Sequence, residues 1–180
     1  MHKWSAIARR IRVPLGFAFA IFYLSLAKPT WKSMALGGIL CVPGLLLRAL
    51  ASGHVQKNSQ LTTSGPYAYM RNPLYLGSFI MAAGFALAAR NLWIALAILL
   101  IFIGIYLPVV LAEEEFLRSR FPEFRDYEQR VPRLLPRHFG SGNPKGNFSV
   151  QLYWQHREYN SFLGACTMMA ALAAKILWCR

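Results

Sequence analysis

Five stretches of the chain carry no charged residue: Val13–Ala27, Ser33–Leu47, Asn72–Ala89, Asn91–Ala112 and Tyr159–Ala174, with 15, 15, 18, 22 and 16 residues. A helix needs roughly 20 mostly apolar residues to cross a bilayer, with a lower limit near 17, because its backbone must be satisfied without water. The third and fourth stretches meet that length unaided. The other three reach it when Arg12, Lys28, Lys32, Arg48 and Lys175 extend their charged ends to the interface along apolar stems. The pattern predicts an all-α, polytopic membrane protein with about five transmembrane helices, of which the first is the most marginal. Composition agrees, since 56% of residues are hydrophobic and 15% charged with a mean hydropathy of +0.33, which excludes disorder and disfavours an ordinary soluble fold.

Twenty Lys and Arg against seven Asp and Glu give a net charge of +13, a balance that in a soluble chain points to nucleic acid. Here position matters more. Four basic residues in Met1–Arg12 followed by an apolar stretch ending Ser25-Leu26-Ala27 also resemble a secretory signal, but the loop charges favour a retained first helix. With a cytoplasmic N-terminus, the inner segments hold those four, then Arg48, Lys57 and Arg71, then eight from Arg118 to Arg157. The outer side holds Lys28, Lys32, Arg90, Lys175 and Arg180. The split of 15 to 5 follows the positive-inside rule and predicts an external C-terminus. The expected partner is the bilayer rather than nucleic acid.

Cys41, Cys166 and Cys179 fall in or at the end of expected spans, without paired spacing or a nearby His, so neither a disulfide nor a metal site is expected. The Asn147-Phe148-Ser149 triplet fits a glycosylation acceptor but falls on the inner side. Gly37-Gly38, Gly77, Ala82-Ala83 and Ala170–Ala174 allow close helix packing, within one chain as readily as between two.

Two stretches are more polar than connectors require: Ser52–Gly77 and Glu113–Pro136. Between them the third and fourth helices form a tight hairpin around Arg90, so both stretches emerge at one membrane face. Gly65-Pro66 reads as a turn. Arg71-Asn72-Pro73 reads as a helix start, with Asn72 as N-cap and Pro73 in the first turn. Unpaired N–H groups and the positive dipole end there suit a carboxylate or phosphate, which Arg71 can clamp. Glu113, Glu114 and Glu115 follow 22 uncharged residues and a helix-bending Pro108, and six of the seven acids lie between Glu113 and Glu128. One account of the cluster pairs Glu114 with Arg118 and solvates Glu115. The other sets a carboxylate pair opposite a basic helix entrance, suited to a ligand with both signs, such as an amino-acid moiety with a sulfonium.

GPYAYMRNPLYLG, a short hairpin, and then EEEFLRSRFPEFRDYEQRVPR together resemble the integral membrane methyltransferases that include isoprenylcysteine carboxyl methyltransferases and phospholipid N-methyltransferases. The resemblance covers roughly Leu61–Pro136. It implies an S-adenosyl-L-methionine site at the cytoplasmic end of the third and fourth helices, and the chain has no glycine-rich dinucleotide fingerprint. Arg71, Asn72, Pro73, Tyr75 and Gly77 correspond to a basic-His-Pro-x-Tyr-x-Gly signature, and Glu113 and Glu114 to paired glutamates. Asn72 departs from the carboxyl methyltransferase pattern and, with Ser78, matches the phospholipid enzymes. The second motif, through Leu117, Phe121, Tyr127 and Arg130-Val131-Pro132-Arg133, is nearer the carboxyl enzymes, so the acceptor stays open between carboxylate and amine.

The resemblance implies catalytic roles for Arg71, Glu113 and Glu114. Arg71 and the Asn72-Pro73 start would hold the cofactor carboxylate, one of the two glutamates its ammonium or ribose hydroxyls, and Tyr67, Tyr75 and Phe121 its adenine or methyl region, with Leu61, Gly65 and Tyr127 completing the cofactor set. A carboxylate acceptor needs no base, whereas an ammonium must lose a proton, for which a glutamate is the expected base. A lipophilic or small amphiphilic acceptor would enter laterally. Tyr69, Tyr153, Trp154 and Tyr159 read as interfacial aromatics, and His138 and His156 as interfacial rather than catalytic. The whole chain reads as one membrane domain: residues 1–51 are the first two helices, 52–136 the catalytic core, and 137–180 an interfacial connector with the fifth helix. Alternatives are an NADPH-dependent reductase of sterol-reductase-like topology, and a scaffold or channel subunit whose basic loops bind anionic lipid.

Overall fold

The computed structural model describes residues 16–56, 60–136 and 146–178; the readings above on Met1–Arg12, Lys57, His138, Cys179 and Arg180 lie outside them. Every regular element among the described residues is helical: α1 (Gly16–Leu26), α2 (Trp31–Ser52), a 3-10 turn (Gly65–Ala68), α3 (Pro73–Ala89), α4 (Leu92–Arg120), α5 (Phe124–Arg130), α6 (Val150–Gln155) and α7 (Tyr159–Trp178). At 1.5 Å per residue, α2, α4 and α7 are about 33, 43 and 30 Å long, enough to cross a hydrocarbon layer of about 30 Å. Helix α3, with 17 residues, and the described part of α1 are apolar but shorter. Leu36, Ile39 and Leu46 of α2, Trp93 and Leu100 of α4, and Phe162 and Leu163 of α7 stand exposed. Apolar surface of that extent is costly in water and suits lipid. The chain is a helical membrane protein.

Helices α2 and α3 pack antiparallel through their glycines. A Cβ on Gly37 would come within 2.4 Å of the Gly84 carbonyl oxygen, and one on Gly44 within 2.7 Å of that of Gly77. Cys41 fills the space between, its thiol 3.4 Å from the Met81 carbonyl. Small residues thus let the backbones approach where lipid supplies no hydrophobic drive. Gly38 faces open space and takes no part, so the expected Gly37-Gly38 pair contributes one residue.

The hairpin between α3 and α4 turns at Arg90, which is left-handed (φ 50°), and Asn91, whose side chain accepts from the Trp93 N–H and donates to the Leu26 carbonyl. At the same end lies Lys175, expected to extend its charge to the interface. Its ammonium donates to the Leu24 and Ser25 carbonyls at the end of α1, satisfying acceptors that a helix C-terminus leaves open.

Helix α4 positions the site. From Leu92 to Ala112 it rises about 31 Å, the thickness of a hydrocarbon layer, before the first acid at Glu113. Midway, Phe102–Tyr106 forms a π turn, with the Leu107 N–H donating to the Phe102 carbonyl; Pro108, two residues on, has no N–H to give. The turn sets Phe102 against Phe79 and Tyr106 against Tyr75, at ring separations of 4.6 and 6.1 Å.

Candidate functional site

Pro73 opens α3 as expected, but the Asn72 side chain makes no capping bond to it. Its Nδ2 instead donates to Glu114 Oε1 at 2.8 Å and to the Arg133 carbonyl at 3.2 Å. This correction follows from tertiary pairing: the Arg71 and Asn72 N–H groups donate to the Pro132 and Arg133 carbonyls, which draws the end of the second polar stretch back over the helix start. Arg133 then places its guanidinium 3.0 Å from Glu114 Oε2. Arg71 NH1 lies 3.3 Å from the same oxygen and 3.4 Å from Glu128 Oε2.

Glu114 is thus buried, 3% exposed, and held by two guanidinium groups and an amide. The expected Glu114–Arg118 pair does not form. Arg118 takes Glu128 at 2.6 Å, and that bond is the main cause holding the Glu128 carboxyl below its ordinary value. Glu115 is exposed, as expected. Glu113 lines the cavity, and no hydrogen bond to its carboxylate is formed among the described residues. The buried Arg71 Nε likewise has no acceptor among them. One uncommitted anion and one uncommitted donor remain beside a helix start.

These groups line a cavity of about 1200 Å³ between the helix ends, with Leu61, Tyr67, Asn72, Tyr75, Glu114 and Tyr127 among its walls. Burial pushes the Tyr67 and Tyr127 phenols upward, so both stay neutral, and the Tyr127 hydroxyl donates to the Tyr67 carbonyl at 2.7 Å. Four expected cofactor residues do not reach the lining. Phe121 packs with Leu61, Leu117 and Phe124 beneath Tyr127 and Val131. Pro73 is buried in the first turn of α3, and Gly77 abuts Gly44 and Arg48. Gly65, at φ 58°, makes the left-handed turn against His54.

Sequence reasoning missed a second polar cluster in the cavity wall. Arg48, expected to reach the interface, grips Glu158, with Nε 2.6 Å from Oε1 and NH2 3.0 Å from Oε2, and its NH1 donates to the Ser78 hydroxyl. His156, read as interfacial, lines the cavity with them. The available signal was Glu158 itself, the one acid outside the 113–128 cluster, placed next to a charge-free span. Tyr106 also joins the lining; Pro108 and the π turn it accompanies were its signal. Among the described residues, no three His, Cys, Asp or Glu are placed to hold a metal ion.

The sequence model of the phospholipid methyltransferase family matches residues 33–123, half of the chain and the part that builds α2 to α4 with the Arg71–Glu114 cluster. The chain belongs to this family. It is 36% identical over 135 residues to the cobalt-zinc-cadmium resistance protein CzcN of Cupriavidus metallidurans, covering 71% of this chain and 62% of that protein. It is 36% identical over 115 residues to the nickel-cobalt-cadmium resistance protein NccN of Alcaligenes xylosoxydans xylosoxydans (60% and 53%). It is also 30% identical over 131 residues to the protein-S-isoprenylcysteine O-methyltransferase of Schizosaccharomyces pombe (66% and 55%). The matches thus span between about half and 62% of these relatives' own length. No solved structure shows a significant match.

Proposed function

We propose that this protein is an S-adenosyl-L-methionine-dependent methyltransferase acting at a membrane surface on a lipophilic or membrane-associated acceptor. The observation that carries the reading is the Glu113 carboxylate left uncommitted in the cavity together with Arg71, whose buried Nε has no acceptor among the described residues, beside the start of α3. A ligand with a carboxylate and an ammonium at one end fits that pair, and the aromatic lining of Tyr67, Tyr75 and Tyr106 suits its heterocycle. Family membership supports the same cofactor. When bound, it supplies an activated methyl group on a sulfonium.

Arg71 and the α3 start hold the ligand carboxylate, and Glu113 holds its ammonium. Glu114 acts through its neighbours: by pinning Arg71, Asn72 and Arg133 it fixes the helix start against the returning chain. Alignment of the two reactants is the main demand of an in-line displacement whose charge dissipates. The basic excess supports a cytoplasmic N-terminus and cytoplasmic active-site loops, with an external C-terminus. The acceptor enters laterally from the bilayer.

The test is incubation of membranes containing the protein with methyl-labelled S-adenosylmethionine, followed by separation of lipids, proteins and small molecules. Label in the lipid or membrane-protein fraction is expected. Label confined to water-soluble products would overturn the lipophilic acceptor, and no transfer in any fraction would overturn the enzyme reading.

A further inference from the structure

The last turn of α2 meets the chain between α6 and α7 at two points. Arg48 takes both oxygens of Glu158, and one turn later the Ser52 carbonyl faces His156 Nδ1 at 3.1 Å. A carbonyl oxygen only accepts, so Nδ1 carries the hydrogen and the neutral ring keeps its lone pair on Nε2. No hydrogen bond reaches Nε2 among the described residues. Between these two side chains, Arg157 adopts φ 53° and ends α6 as a left-handed cap, its N–H donating to the Trp154 carbonyl and that of Glu158 to the Tyr153 carbonyl. Its consequence is specific: His156 and Glu158 both line the cavity, while Arg157 is exposed.

We propose that this cluster receives the methyl acceptor and that His156 Nε2 takes a proton from it. The inference rests on the methyltransferase reading above and deepens it. Arg71 and Glu113 line the same cavity and form no hydrogen bond with Arg48, His156 or Glu158 among the described residues, so the two ligand halves have separate polar partners. The charged groups around His156 are Arg48 from α2 and Arg157 and Glu158 of its own turn; Arg48 and Glu158 neutralise one another, leaving the imidazole as the proton acceptor. The acceptor is a nucleophile that arrives carrying a proton, an amine rather than a carboxylate. Its proton passes to Nε2, and the freed electron pair forms the nitrogen–carbon bond to the methyl group. The pair of the broken sulfur–carbon bond stays on sulfur, which loses its positive charge.

His156→Asn separates this role from a structural tie, because the amide N–H can still reach the Ser52 carbonyl while Nε2 is gone. Membranes containing the full chain are given methyl-labelled S-adenosylmethionine at a series of pH values, and label entering lipids and proteins together is the rate, so no acceptor is assumed. The wild-type rate is expected to rise with pH to a plateau. H156N is expected to lose that limb and to fall on the order of 100-fold or more, with S-adenosylmethionine binding unchanged. Nitrogen-15 NMR of histidine-labelled protein should show the neutral His156 ring with Nε2 bare.

Wild-type rate and pH profile in H156N, loss of cofactor binding in H156N, or a proton on Nε2 of the neutral ring would each overturn the inference alone. Absence of transfer by the wild type would overturn the proposed function and this inference with it.

Discussion

Glu113 and Glu114 are neighbours with opposite duties. A helix turns 100° per residue, so the two carboxylates point apart: both border the cavity, but only Glu114 enters the Arg71–Asn72–Arg133 cluster. The consequence is a division of phenotype. Glu114→Gln strips a buried anion from its guanidinium partners and is expected to cost about 3 kcal/mol of stability, the lower part of the range for breaking a buried pair because Arg133 is partly solvated. Thermal unfolding in detergent measures it, and an unchanged Tm would show that Glu114 does not hold the helix start. That the acids gather at the end of α4 is legible in the chain. Their partners are not, because Arg133 reaches Glu114 only after residues 132–133 have returned to pair with the backbone of Arg71 and Asn72, some 60 positions earlier, and no local periodicity encodes that return. Phe121 shows the same gap: its motif position is readable, but its packing under Tyr127 depends on where α5 lies.

At the scale of elements, the α2–α3 contact positions Arg48 in the cavity wall, since its NH1 reaches the Leu74 carbonyl and the Ser78 hydroxyl across it. A Cβ on Gly84 would lie 2.6 Å from both the Gly37 carbonyl oxygen and the Cys41 sulfur. Gly84→Ala is therefore expected to lower stability by about 1–3 kcal/mol through overpacking. Gly38→Ala, in open space, is expected to raise it by about 0.5–1 kcal/mol by removing a helix glycine. Thermal unfolding of the two variants checks the pair, and equal effects would contradict the packing described. The charge-free stretches made these helices readable because a bilayer leaves backbone polar groups no alternative to helical pairing. Which glycine of Gly37-Gly38 faces α3 depends on helix rotation, which composition does not carry. The acceptors of Arg48 and Lys175, Glu158 and the open carbonyls of α1, were illegible for a related reason: each comes from a segment more than 100 positions away.

At the scale of the whole molecule, a chain with few acids uses them as fasteners: Glu114, Glu128 and Glu158 each tie separate segments around the cavity, while Glu113 stays uncommitted within it. The excess of basic residues accounts for the proposed orientation, and the sparse acids account for the site. The central claim is that Arg71 and Glu113 present a binding end for the amino-acid part of S-adenosylmethionine. Its direct measurement is calorimetric binding to the full chain in lipid nanodiscs, for wild type and Glu113→Gln, with NADPH as the competing ligand class. The account predicts that the wild type binds S-adenosylmethionine and ignores NADPH, and that Glu113→Gln weakens binding roughly 10- to 100-fold, the worth of one charge-assisted hydrogen bond. NADPH binding, or S-adenosylmethionine binding as tight in Glu113→Gln as in the wild type, would contradict it.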